Sequence, residues 1–220
     1  METIYTLIPL LCLAASIVAG VTGHLIGKVW THRVTIGAVG LALILSLLVA
    51  VDVFRGNVFQ GSVYTWAISG GVSFEIGFLI DRLTVVMMSV VTFVSLMVHI
   101  YTVGYMHDDP GYTRFFSYIS LFTFAMLMLV MANNFLQLFF GWEAVGLVSY
   151  LLIGFWHERE SAIAANMKAF LVNRVGDLGF ILGIAAVLYL FGSLDYATVF
   201  TGAQNYNGDP VIGPLGFKWE

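Results

Sequence analysis

Residues Asn134 to Trp156 read NFLQLFFGWEAVGLVSYLLIGFW: 23 residues with one formal charge, on Glu143. A bilayer core about 30 Å thick is crossed by about 20 apolar helical residues, so this run has the length and composition of a membrane span. The carboxylate inside it fixes how the helix must face. At 1.5 Å per residue Glu143 lies about 12 Å in from Phe135, close to the midplane. An acid at a helix centre costs about 2.5–3.5 kcal/mol even on insertion scales. A lipid-facing position is thereby excluded, and Glu143 must point into a helix cluster. Gly146, Tyr150 and Gly154 share its face, where small residues let a neighbouring helix approach closely.

The rest of the chain has the same character. Of its 220 residues 60% are apolar and 10% charged, with a mean hydropathy of +0.92. Soluble domains are nearer a quarter charged, so this chain cannot wet its outer surface and expects a lipid bilayer around it. The net charge of -4 is scattered between apolar runs. Lys and Arg form no basic stripe, and nucleic acid is not an expected partner. A single cysteine, Cys12, excludes an internal disulfide and any Cys-ligated zinc or iron–sulfur site. No redox centre and no metal site is expected on this chain.

The span yardstick finds six candidates, roughly Ile4–Leu25, Val34–Val53, Leu83–Tyr105, Phe115–Ala132, Asn134–Trp156 and Ala164–Gly192. The first lacks a basic leading region and is read as a retained helix. Between spans two and three, two alternating runs flank Gly70-Gly71 and predict a β-hairpin. It must lie at the membrane surface, because an open strand edge is not tolerated in hydrocarbon. Asp81 is placed to cap the third span. The tight Ala132–Asn134 link predicts that spans four and five pack as an antiparallel hairpin. The expected fold is all-α and integral to the membrane: about six transmembrane helices with a small periplasmic β-hairpin between helices 2 and 3. Residues 1–54 hold helices 1 and 2, 55–80 the hairpin, 81–192 helices 3 to 6, and 193–220 a polar loop at which the chain looks interrupted. Lys28, Arg33, Arg114 and Arg159 fall on one side and Arg55, Arg82 and Lys218 on the other. This small bias places both termini and the hairpin outside.

The sixth span brings further charges into the membrane beside Glu143, which has no obvious partner on its own helix. It carries Lys168, Arg174 and Asp177. Arg174 and Asp177 are three apart and share a face, whereas Lys168 lies about half a turn round and points elsewhere. Two readings compete: ion pairs that hold helices together, and a proton relay. Burial raises a carboxylate's affinity for a proton and a nearby cation lowers it, so moving the cation switches uptake and release. His99, deep in the third span, reads as a hydrogen-bonded packing residue. His107 and His157, among acidic neighbours, read as solvated surface.

Two elements carry a family resemblance: GWEAVGLVSYLLIGFW, and AANMKAFLVNRVGDLGF after it. With DRLTVVMMSVVTFVSLMVHIYTVGYM and FFSYISLFTFAMLMLV in the same order, the chain resembles the antiporter-like L subunits of bacterial respiratory NADH–quinone oxidoreductase, complex I. The resemblance covers essentially the whole chain, and the Asn-Arg-Val-Gly-Asp element is its most specific part. It implies that Glu143 is the family's key carboxylate, paired with a lysine on a seventh helix beyond this sequence. It also implies that Asp177 is a functional acid with Arg174 and Lys168 as basic neighbours. The implied activity is proton translocation coupled to electron transfer from NADH to quinone, with NADH, FMN, iron–sulfur clusters and quinone bound by other subunits. The implied partners are other membrane subunits of the complex, especially an adjacent antiporter-like one, in the bacterial inner membrane. Two alternatives stay open: a subunit of a multisubunit sodium/proton antiporter, and a truncated fragment that does not pump.

Overall fold

The computed structural model describes residues 2–69, 72–204, 211–212 and 218–219; the expected Gly70-Gly71 turn lies outside them. Helix α1 (Glu2–Ile17) passes through a π-helical turn (Val18–Thr22) into α2 (Gly23–Phe54). The apolar stretch Thr3–Phe54 has 52 residues, about 78 Å if straight and more than twice a bilayer core. It is not straight. Gly27 adopts φ 76° and ψ 170°, a conformation essentially confined to glycine because a Cβ would clash there. The helix breaks at that residue and doubles back. Tyr5, Ile8 and Cys12 come to lie in one buried cluster with Val39, Val49 and Val53. Two passes were expected here and two are found, but the link between them is a glycine corner inside continuous helix, not a polar loop.

Four further helices follow: α3 (Arg82–Tyr105), α4 (Tyr112–Val130), α5 (Phe135–Ile153) and α6 (Glu160–Phe191). Each is long and apolar enough to cross a membrane, so the protein is a multi-pass membrane protein. Among the described residues five helical stretches can cross a membrane, and the first is long enough to do so twice. Asp81 caps α3, its carboxylate accepting the Thr84 N–H at 2.8 Å. Asn134 caps α5 in the same way through Gln137 N–H at 2.8 Å. The α4–α5 turn is as tight as its sequence implies. At Gly141 a Cβ would stand 2.7 Å from the Leu129 Cα, so only glycine lets these two backbones meet.

The hairpin is present: β1 (Phe59–Ser69) pairs antiparallel with β2 (Val72–Ile80), with irregularities at Ser62/Tyr64 and Thr65/Ala67. It is anchored to the α4–α5 turn. Leu79 N–H donates to Met131 O at 3.0 Å and Gly77 N–H to Gln137 Oε1 at 2.9 Å. Asn134 Nδ2 donates to Glu75 O at 3.2 Å. In the segment read as a polar loop, a short helix α7 (Tyr196–Gln204) forms. The Asp195 carboxylate accepts the Thr198 N–H at 3.0 Å, an N-terminal capping contact that starts it. Beyond it β3 (Val211–Ile212) pairs with β4 (Lys218–Trp219).

Candidate functional site between α5 and α6

Helix α6 spans 32 residues, yet its buried residues are Asp177 and Ile184 alone. An acid is therefore half of what this helix hides. The reason is its packing on α5, an antiparallel ladder that climbs by about one helical turn per rung. Asn166 sits against Gly154. Phe170 meets Tyr150 with ring centres 5.7 Å apart. Arg174 lies over Gly146, where an added Cβ would be 3.7 Å from Nη2. Trp142 reaches Asp177, and Phe139 reaches Phe180 at 5.7 Å. The face of α5 that carries Gly146, Tyr150 and Gly154 is thus the face that α6 covers.

At the third rung the charges converge. Arg174 Nη1 lies 2.6 Å from Glu143 Oε2, and Nη2 lies 2.9 Å from Asp177 Oδ2. One guanidinium therefore bridges two carboxylates on two helices, using the fork that sets arginine apart from lysine. The Asp177 contact is at ion-pair distance but off the hydrogen-bond direction, and Arg174 Nε has no protein partner. Asp177 Oδ1 accepts the Trp142 indole N–H at 2.9 Å. The three side chains are unequally covered: Asp177 is 9% exposed, Glu143 25% and Arg174 40%. Glu143 and Arg174 line a cavity of about 410 Å³ with Tyr150, Phe170 and Asn173, room for on the order of ten waters.

Of the four residues singled out from sequence, Glu143, Arg174 and Asp177 come together. Lys168 does not: it is exposed and forms no ion pair among the described residues. The pairing of Glu143 with Arg174 across helices was not anticipated, nor was the role of Trp142. Periodicity places residues on faces but does not set one helix's register against the next. The other candidates fall outside this cluster. His99 is fully buried, with Nδ1 donating to Ser95 O of its own helix at 2.8 Å and Nε2 bonded to Ser120 Oγ of α4 at 3.0 Å; both ring nitrogens are engaged, the second in joining α3 to α4. His107 pairs with Asp108 in the open. In the same α3–α4 connection Asp109 Oδ2 accepts the Trp156 indole N–H at 2.9 Å and Oδ1 accepts Gly111 N–H at 2.7 Å. The indole bond first, then the Gly111 bond and the charges of Arg114 and Lys28, outweigh partial burial and hold this carboxyl below its usual 3.8.

The chain is similar to several known proteins. Residues 66–116 match the family described as NADH-Ubiquinone oxidoreductase (complex I), chain 5 N-terminus. Residues 132–212 match that described as NADH:quinone oxidoreductase/Mrp antiporter, TM. The NADH-quinone oxidoreductase subunit L of Neisseria meningitidis serogroup A is 56% identical over 221 residues, covering 99% of this chain and 33% of the relative. NADH-ubiquinone oxidoreductase chain 5 of Triticum aestivum is 48% identical over 91% of this chain and 30% of its own length. That of Dictyostelium discoideum is 44% identical over 95% and 31%. The chain thus spans about a third of the length of the curated relatives it matches. Among solved structures, one from the archaeal membrane-bound sulfane sulfur reductase, a respiratory membrane complex, superposes with a TM-score of 0.78. It does so at 18% identity, over 90% of this chain and 39% of the other, a likeness of fold.

Proposed function

We infer that this chain, which belongs to the family of NADH-quinone oxidoreductase subunit L and NADH-ubiquinone oxidoreductase chain 5, supplies a proton-binding site to a membrane subunit of a respiratory NADH–quinone oxidoreductase. The observation that carries the reading is Arg174 held between Glu143 and Asp177 at the edge of a cavity. One cation faces two acids, so the fully ionised cluster has a surplus negative charge. In a low-dielectric surround that surplus favours the uptake of one proton. Asp177 is the more enclosed acid, and its Oδ1 accepts the Trp142 N–H. Glu143 is more open and borders the space where water can stand. Glu143, the acid that borders the cavity, is therefore the one placed to exchange a proton with water there, and Arg174 spans it and Asp177. Any displacement of Arg174 toward Asp177, or the approach of another cation to Glu143, changes how tightly that proton is held.

On this reading NADH, FMN, iron–sulfur clusters and quinone reside on other subunits, and the site couples to them mechanically. The setting is the bacterial inner membrane, with the hairpin on the periplasmic side and an adjacent antiporter-like subunit as neighbour. A second reading has one observation in its favour: the description matched by residues 132–212 also covers Mrp antiporters. Co-purification with NADH-oxidising subunits, rather than with cation-antiporter partners, separates the two. The test of the site is Glu143→Gln in the intact complex. Proton translocation is expected to be lost while assembly stays near normal, and translocation at the unaltered rate would end this assignment.

A further inference from the structure

Trp142 stands in the middle of a membrane span with half its surface exposed. Its ring packs edge-on against Phe180, with centres 6.0 Å apart. A phenyl ring could make the same apolar contact without bringing an N–H into hydrocarbon, which cannot accept it. That N–H has one acceptor, Asp177 Oδ1, at 2.9 Å. Trp142 and Glu143 are consecutive on α5, and Arg174 and Asp177 lie about one turn apart on α6. The four side chains therefore close a ring, from Glu143 to Arg174, to Asp177 and back to Trp142. Asp177 divides its oxygens within it, Oδ1 to the indole and Oδ2 to the guanidinium. The Arg174 nitrogen beside that second contact, Nε, is buried and has no protein partner. Arginine and a carboxylate favour two parallel bonds, and Nε with Nη2 offers Asp177 such a fork. The indole's hold on Oδ1 keeps the fork from closing.

We propose that Trp142 is a positioning residue of the charged site: by occupying Oδ1 it prevents Arg174 from closing on Asp177 with two bonds, and so keeps the guanidinium shared with Glu143. The inference rests on Glu143 being the acid that exchanges the proton. Without the N–H, Asp177 presents both oxygens to Nε and Nη2, and the cation is drawn from Glu143 toward α6. A carboxylate that loses a neighbouring cation keeps its proton to higher pH. The titratable groups around Glu143 are Arg174 and Asp177 of α6 and, across the cavity, Tyr150 of α5. Those on the other packed elements are engaged elsewhere. On α4, Arg114 and Tyr118 lie beside Phe155, about 18 Å along α5, and Tyr112 lies against His32. Glu75 of β2 lies against Asn133 and Tyr196 of α7 against Phe135, while Tyr64 of β1 and Lys168 of α6 are exposed. Tyr189 of α6 stands about 22 Å along the helix from Arg174.

The test is Trp142→Phe in the intact complex, with the rate of proton translocation followed against pH. The variant is expected to assemble and to translocate, with the alkaline limb of its profile about one unit higher than in the unaltered complex. That shift is the equivalent of one hydrogen bond to a charged group. Replacing Trp142 by benzothienylalanine keeps both fused rings and puts sulfur in place of the N–H. It should give the same shift, and it stands in if the smaller phenyl ring prevents assembly. A rate lowered or lost equally at every pH, with the limb unmoved, would make Trp142 a packing residue and overturn the proposal. A limb that moved toward acid would overturn it too. Glu143→Gln separates the two claims. Loss of translocation in that variant, with the limb unmoved in both Trp142 replacements, sinks this inference alone; translocation at the unaltered rate by Glu143→Gln removes the reading on which it rests.

Discussion

Replacing Arg174 by Met keeps the length and apolar stem of the side chain and removes the charge. Two carboxylates then share the α5–α6 contact without a cation. Stripping one partner from a fully buried ion pair costs about 3–5 kcal/mol. Only Asp177, 9% exposed, approaches that condition. Glu143 is 25% exposed and Arg174 itself 40%, so solvent screens part of the loss, and the Glu143 share is nearer the 0–1 kcal/mol of open pairs. About 3 kcal/mol of destabilisation is therefore expected, most of it lodged at Asp177. Denaturant unfolding of the purified chain in detergent reads it directly.

The division of that cost is the sharper measurement. Asp177→Asn added to Arg174→Met removes the stranded charge while keeping an oxygen for the Trp142 N–H, and should recover most of the stability. Glu143→Gln added to Arg174→Met should recover little. Neighbours in one network couple by about 0.5–3 kcal/mol, so the non-additivity is measurable. Arg174→Lys should fall between, since a single ammonium cannot occupy both the Nη1 and Nη2 positions. If Glu143→Gln rescued as well as Asp177→Asn, the buried acid would not be the one that Arg174 neutralises. The assignment of Glu143 as the proton-binding acid would fall with it.

Two other outcomes test the frame around the site. Gly141→Ala should destabilise the α4–α5 contact by about 1–3 kcal/mol, an overpacking cost, because the new methyl meets Leu129 backbone instead of a side chain that can turn away; unfolding at the unaltered denaturant concentration would show that the helices slide apart freely. Asp109 should give a pH signature on the opposite side of the bundle. Its folded carboxyl titrates below the usual 3.8, so its stabilising effect is complete above that value and fades as pH falls through the lower, folded one. The stability difference between the unaltered chain and Asp109→Asn should thus be constant from neutral pH down to about 4.5 and shrink below 3.8. A difference that instead changes between pH 5 and 7 would assign the effect to a neighbouring histidine.

How much of this was written in the sequence differs by element. Spans four and five, their tight turn, the Asp81 cap and the hairpin strands follow from local chemistry, because each depends on residues a few positions apart. The corner at Gly27 does not. Gly20, Gly23, Gly27, Gly37 and Gly40 all fall in one apolar stretch, and nothing local marks the one with φ 76°; tertiary contact between Tyr5 and the far end of α2 selects it. Likewise α7 hides in a Gly-rich tail, where the Asp195 capping bond to Thr198 is worth more than composition suggests.

The charged site shows why polar residues were the better guides in this solvent. Leu171, Val172, Val175, Leu178 and Leu182 of α6 all face outward, which in water would be a failure of folding. In a bilayer it costs nothing, since lipid tails are as apolar as a protein core and give no hydrophobic preference for turning a leucine inward. Apolar periodicity therefore says little about which way α6 faces. A misdirected carboxylate, by contrast, costs several kcal/mol. Asp177 and Arg174 fix the rotation of α6, and Glu143 fixes the rotation of α5. The register between them then follows from the connection after Ile153, which sets Gly154 opposite Asn166 and, two rungs on, Gly146 opposite Arg174. Within the α5–α6 hairpin, the charges proposed to bind a proton form the central rungs of the contact, so on that reading a change in their protonation acts directly on how the two helices pack.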